Sequence, residues 1–231
     1  MERMEPVYQW SVAVRITHWA MALVITVLIV TGFYIASPFT VYRGETTDKF
    51  LMGDVRFWHL LAGVFFIFLF TWRMYLAFFS RFHADWRDFL AWIDVRCMWK
   101  QVKFYLLLTD EEVEAAPQCA YGYTQAFAYL ALWIIAFAAL VTGLILMGAE
   151  YHGGLTALTY RITMPVAYWM GGLATVRFIH HLLTWLFILF IMVHVYMAVW
   201  HDVVLKHAII SSMVSGWVYR KRPAFTPGRR E

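Results

Sequence analysis

Four histidines carry the first chemical signal. His18 opens the first long apolar run, His59 opens the second, and His180 and His194 lie near opposite ends of the fourth. Ionisable side chains inside a membrane are costly, so their presence calls for a function. The run Arg177 to Tyr196 is apolar enough to cross a bilayer, yet it holds His180, His181 and His194. His180 and His194 are just under four helical turns apart, so both rings leave one helix face. The rise between them is about 21 Å, against a hydrocarbon core of about 30 Å. His181 points about 140° away from His194 and is set aside.

Depth then dictates the pairing. His59 meets His180 near one membrane surface, and His18 meets His194 near the other. Two bis-histidine pairs on neighbouring helices are what two stacked b-type haems require, because haem iron takes axial imidazoles. Ligation from both sides leaves no open position for oxygen, which suits electron transfer. A lone membrane histidine is more often a hydrogen-bonded packing residue. Four at matched depths on three helices are harder to explain that way.

Further residues fit the same geometry. Gly63 follows His59 by four residues on one face, where a missing side chain would let a porphyrin lie against the backbone. Arg73 shares the His59 face at the depth of the second site, and Arg56 and Arg177 each precede a histidine by three residues. Haem propionates are anionic and arginine pairs well with carboxylates, so Arg73 is expected at the inner haem and Arg56 or Arg177 at the outer one. His83, His152, His201 and His207 read as loop or interface residues, although His201 shares the His194 face. Cys97 and Cys119 sit in neither Cys-x-x-Cys nor Cys-x-x-Cys-His, so they read as inert thiols and no covalent haem attachment is expected.

The elements that must position these residues are membrane spans. Hydrophobic residues make up 62% and charged residues 15% of the 231-residue chain, where a soluble domain carries about 25% charged residues. Spans are expected over about Ile16–Ala36, Phe57–Phe79, Ala126–Ala149 and Phe178–Trp200. Ser37-Pro38 ends the first. That first run lacks a small-residue cleavage site and reads as a span, not a cleavable signal. Trp86 to Leu108 mixes aromatics with Arg96, Lys100 and Lys103, which fits a helix lying in the interface. Asp110 to Glu114 is read as a solvated acidic face, and 150–176 as a loop. No repeat with a period of 20–50 residues is evident.

Four spans place both termini on one side. Most of the 19 Lys and Arg residues fall on that side, so both termini are expected in the cytoplasm. The basic residues lie in loops flanking apolar runs, which argues against nucleic acid. The whole chain, 1–231, thus reads as one all-α membrane domain: a four-transmembrane-helix bundle binding two stacked b haems, with an amphipathic interfacial helix between spans two and three.

The motifs also carry a resemblance. Arg15-Ile-Thr-His-Trp19 with Val30-Thr-Gly32 resembles the first span of b-type cytochrome subunits of membrane-bound nickel–iron hydrogenases. His180-His-Leu-x-x-Trp185 through His194-Val-Tyr196 resembles their fourth span. His59-x-x-x-Gly63, Arg73 and the tail Ser212-Met-Val-Ser-Gly216 are similar as well, and the likeness covers nearly the whole chain. Phe178 departs from it, standing where a small residue is expected. Wider relatives, the formate dehydrogenase cytochrome subunits and cytochrome b561-like proteins, share mainly the di-haem core.

The resemblance implies an electron-transfer subunit with no hydrogen-cleaving site of its own, in a bacterial-type cytoplasmic membrane. Hydrogenase small and large subunits would dock on the outer face, against loops 37–56 and 150–176. Electrons would cross the membrane to a quinone near the inner haem, where His18, His201 and Asp202 are candidates. A formate or other dehydrogenase partner, a stand-alone transmembrane reductase and a haem-free anchor are the alternatives; the four matched histidines argue against the last.

Overall fold

A computed structural model describes residues 4–40, 50–79, 86–109, 121–151 and 153–221. Arg43, Lys49, His83, the Asp110–Glu114 run, Cys119, His152 and the basic residues Arg222, Arg229 and Arg230 lie outside the described residues. Four helices are long and apolar enough to cross a membrane: α1 (Val12–Ala36), α2 (Leu51–Phe79), α4 (Tyr123–Glu150) and α6 (Leu173–Trp200), the last running on to Leu205 as a span. Between α2 and α4 lies α3 (Val95–Tyr105). Among the described residues there are also two shorter α-helices, α5 (Leu155–Trp169) and α7 (Ile209–Ser215). All four spanning helices start before the expected spans. Hydropathy marks the thickness of the bilayer, while the helical hydrogen-bond ladder continues through polar residues at its edge. Large apolar side chains such as Leu23, Phe68, Ile134 and Leu189 stand exposed along these helices, as surfaces facing lipid tails must.

The chain forms two compact units. One comprises Met1–His18, Trp72–Trp133 and Ile191–Glu231; the other comprises Trp19–Thr71 and Ile134–Phe190.

In the first unit the chain's two tails pair as a small antiparallel sheet, β1 (Met4–Tyr8) with β2 (Trp217–Lys221), in the register Met4↔Lys221 to Tyr8↔Trp217. This small sheet is an addition to a chain that is otherwise helical, as expected. Strands of five residues whose partners lie at opposite ends of the chain leave little periodic signal. The Tyr8 and Trp217 rings meet edge-on at 5.3 Å, and the Gln9 and Trp10 amides both donate to the Gly216 carbonyl. Trp10 then enters a buried cluster with Val14, Ala77, Tyr121 and Ala126.

The segment read as one interfacial helix is two. A 3₁₀ helix over Trp86–Ile93 stops at Asp94, whose Oδ1 accepts from the Cys97 amide at 3.1 Å and caps α3. That hydrogen bond holds the exposed Asp94 carboxyl below the usual carboxylate range. From α3, the buried Gln101 reaches the start of α4, accepting from the Thr124 amide at 2.8 Å and its hydroxyl at 2.9 Å. The start of a helix leaves such donors without intrahelical partners. Beyond α6 a single π turn, His201–Leu205, leads through left-handed Lys206 and Ala208 into α7.

In the second unit the expected 150–176 loop contains α5. Pro165 interrupts its hydrogen-bond ladder, and glycines crowd both its ends, which is why the sequence reads as irregular. Gly148 of α4 lets α5 approach; a Cβ there would stand 3.0 Å from the Tyr160 nitrogen. Gly171 and Gly172, at φ 94° and 97°, then end α5. Ile145, Ala167 and Val176 from α4, α5 and α6 form the buried core of this end.

Candidate cofactor-binding histidine pairs

Each unit brings one pair of histidines together. In the second unit, His59 of α2 and His180 of α6 face each other with ring centres 6.4 Å apart and planes at 76°. Each ring is held from behind by a threonine on a neighbouring helix. Thr31 Oγ1 of α1 lies 2.8 Å from His59 Nδ1, and Thr142 Oγ1 of α4 lies 2.8 Å from His180 Nδ1. A hydroxyl has one proton. Thr31 donates its proton to the Val27 carbonyl at 2.6 Å, and Thr142 donates to Ala138 at 2.8 Å. Each hydroxyl oxygen therefore accepts from the histidine. In that arrangement both imidazoles carry their proton on Nδ1, and Nε2 keeps its lone pair for a metal.

The next residue in each helix is glycine. A Cβ on Gly32 would stand 3.3 Å from His59 Cε1, and one on Gly143 would stand 3.4 Å from His180 Cε1. The two halves of the site thus repeat in sequence: Val30-Thr-Gly32 before Arg56-Phe-Trp-His59, and Val141-Thr-Gly143 before Arg177-Phe-Ile-His180. The copies lie too far apart for a period of 20–50 residues, which is how sequence reading missed them. The recurring Val-Thr-Gly was the available signal.

In the first unit, His18 of α1 and His194 of α6 lie with ring centres 6.2 Å apart and planes at 49°. Tyr129 stands beside His194, with ring centres 6.4 Å apart. Arg73 donates to the Tyr121 hydroxyl at 3.2 Å and lies 5.8 Å from the Trp133 ring centre. Tyr121 in turn packs on Tyr129 at 4.8 Å, so Arg73 joins an aromatic chain leading to His194.

The remaining candidates fall as follows. Gly63 has open space where a Cβ would stand. Arg56 forms an exposed ion pair with Glu150 at 2.9 Å, whereas Arg177 makes no ion pair or hydrogen bond among the described residues. His181 turns to Phe33 and accepts from Trp185 Nε1 at 3.3 Å, away from the His59–His180 pair. His201 Nε2 meets the Tyr105 hydroxyl at 3.1 Å, and its ring lies 6.0 Å from His207. The Asp202 carboxylate accepts from the Ile209 amide, and from the Ile210 amide at 3.1 Å, at the start of α7. Phe178 is exposed.

Four apolar spans with two facing pairs of imidazoles define a helical membrane protein of the cytochrome type. Residues 9–216 match the family model described as prokaryotic cytochrome b561, and the chain belongs to that family. It is 33% identical over 222 residues to a probable Ni/Fe-hydrogenase B-type cytochrome subunit of Rhodobacter capsulatus, covering 94% of this chain and 82% of that one. A protein of the same description from Azotobacter vinelandii is 34% identical over 217 residues, covering 91% and 88%. A probable Ni/Fe-hydrogenase 1 B-type cytochrome subunit of Escherichia coli K12 is 29% identical over 218 residues, covering 91% and 89%.

The group that such a family implies is haem b, and the residues present fit it. A metal–imidazole bond is about 2 Å, so two rings on opposite sides of one ion have centres about 6 Å apart. Both observed separations meet that requirement. In the second unit the free nitrogen of each ring is Nε2, and the open space at Gly63 leaves room beside His59.

Proposed function

We propose that this chain is the di-haem b-type cytochrome subunit of a membrane-bound nickel–iron hydrogenase, anchoring the catalytic subunits and passing electrons to quinone. The observation that carries the reading is the pair of imidazole pairs, with ring centres 6.2 and 6.4 Å apart. The hydrogenase assignment is supported by the names of the relatives. His59 and His180 would hold one haem and His18 and His194 the other. Bound haem would supply a reversible one-electron carrier at each site, its potential set by ligands, burial and surrounding hydrogen bonds.

The chain's other residues take supporting roles in this reading. Arg177 is better placed than Arg56 to meet an outer propionate, because Arg56 already pairs with Glu150. Arg73 is the cation for the inner haem. The Asp202 carboxylate is engaged with the start of α7, so His201 with Tyr105 is the stronger candidate for contacting quinone on the inner side. On the positive-inside rule both termini would be cytoplasmic, and the hydrogenase small and large subunits would then dock on the opposite face.

The test is isolation of the native complex in mild detergent. Hydrogenase subunits and two haems per chain are expected to co-purify. His18→Ala and His59→Ala should each remove about one of the two haems, while His181→Ala should remove none. Absence of b-type bands from the reduced-minus-oxidised spectrum refutes the haem assignment. Co-purification with a different dehydrogenase refutes the partner.

A further inference from the structure

We infer that Thr31 and Thr142 are matched positioning residues, each fixing the tautomer, ring plane and basicity of one histidine of the same cofactor site. The inference rests on the reading of His59 and His180 as the ligands of one haem. Its evidence is separate: the two threonines, the two glycines beside the rings and the recurring sequence around them.

Two observations converge. Each threonine oxygen lies 2.8 Å from an Nδ1 atom. Each hydroxyl proton is already donated to a carbonyl one turn back in its own helix, so the oxygen can only accept from the imidazole. With the hydroxyl protons on those carbonyls, Nδ1 is the protonated nitrogen on both rings. A threonine in an apolar helix commonly bonds back to a carbonyl one turn earlier, but that habit alone does not aim two of them at two facing imidazoles.

The chemical consequence concerns the metal. A histidine ligand whose far nitrogen donates a hydrogen bond is fixed in orientation and is a more basic ligand. A more basic ligand favours the ferric over the ferrous state, so each threonine holds the potential of this haem down. Because the halves repeat, the two contributions should be alike and act on one haem only. Gly32 and Gly143 keep each ring close to the helix that carries its threonine. A methyl there would stand 3.3–3.4 Å from the ring edge.

The experiment is potentiometric titration of the b-type bands in the intact complex, with haem content measured alongside. Thr31→Val and Thr142→Val keep the shape and remove the oxygen; Thr31→Ser and Thr142→Ser keep the oxygen. Each valine variant should retain both haems and raise one potential only. The expected size is up to about a tenfold change in the ferric-to-ferrous ratio, which is about 59 mV for a one-electron couple. Serine should restore the wild-type value.

If the valine variants keep both haems with both potentials unmoved, the inference fails while the ligand assignment stands. If valine loses a haem, serine must rebind it at the wild-type potential; a serine variant that behaves like valine makes the role one of packing and overturns the inference. If His59→Ala keeps the wild-type haem content, the ligand assignment itself fails.

Discussion

His59 and His180 face each other with their ring planes 76° apart. His18 and His194 make a smaller angle, 49°. The difference has an electronic meaning if each pair binds iron. Axial imidazoles set perpendicular to one another leave two iron d orbitals nearly equal in energy, and rings nearer to parallel split them. The oxidised complex should therefore give two low-spin ferric resonances, the more anisotropic one from the His59–His180 site. In electron paramagnetic resonance, His180→Ala should remove that signal and His194→Ala the other. The reverse assignment would contradict the ring geometry.

Gln101 sets the start of α4. Its side-chain oxygen accepts from both the amide and the hydroxyl of Thr124. Gln101→Ala removes the acceptor from a buried place, so a helix-capping loss of about 1 kcal/mol is expected, rising to about 2 if the donors stay dry. Thermal unfolding of the detergent-solubilised protein should shift down accordingly. Gln101→Glu, which keeps an acceptor oxygen, should recover much of the shift.

Gly216 lies under the N-terminal strand at φ 90°, and a Cβ there would stand 2.5 Å from the Tyr8 ring and 2.9 Å from the Trp10 carbonyl. Gly216→Ala adds a left-handed backbone cost of about 1–2 kcal/mol to that clash. The strand should be displaced, and limited proteolysis should cut the first ten residues faster than in wild type. Equal cleavage rates would show that the strand adapts without leaving.

The α3 cap should respond to acid. The Asp94 carboxyl is held below its usual range chiefly by the Cys97 amide. A depressed carboxyl contributes stability above its unfolded value and loses it as pH falls through the folded one. Protection of the Cys97 amide from exchange, corrected for intrinsic rate, should drop at the acid end. In Asp94→Asn, whose oxygen accepts at any pH, that drop should vanish; its persistence would locate the titrating group elsewhere. The effect should be small, since the carboxylate faces solvent.

Much of this was legible in the sequence, for physical reasons. Long apolar runs exposed the four spans. The spacing of His180 and His194 on one helix, with His18 and His59 at matching depths, exposed which rings are neighbours. Thr31 and Thr142 were not legible, because a hydroxyl in an apolar helix normally bonds back to its own backbone. Only the repeat of Val-Thr-Gly ahead of a histidine distinguished them, and its two copies lie far apart. The α5 helix was hidden by Pro165 and its flanking glycines. The β1–β2 pair was hidden because each strand is short and its partner lies at the other end of the chain. Asp202 stood as a candidate at the quinone site, yet in the structure its carboxylate accepts from the amides at the start of a short helix, a role that depends on a turn no local pattern announces.

The β1–β2 pair also imposes an order of events on biosynthesis. Met4–Tyr8 leaves the ribosome before the four long helices, and Trp217–Lys221 only after them. At about 5–20 residues per second, the first strand waits on the order of ten seconds or more for its partner. His18 waits almost as long for His194. The unit holding this pair can close only after Trp217–Lys221 has been made, whereas His59 and His180 are both made before the last span is complete. Maturation should therefore run from the His59–His180 site to the His18–His194 site, and a chain cut short before Trp217 should lack the sheet that joins its tails.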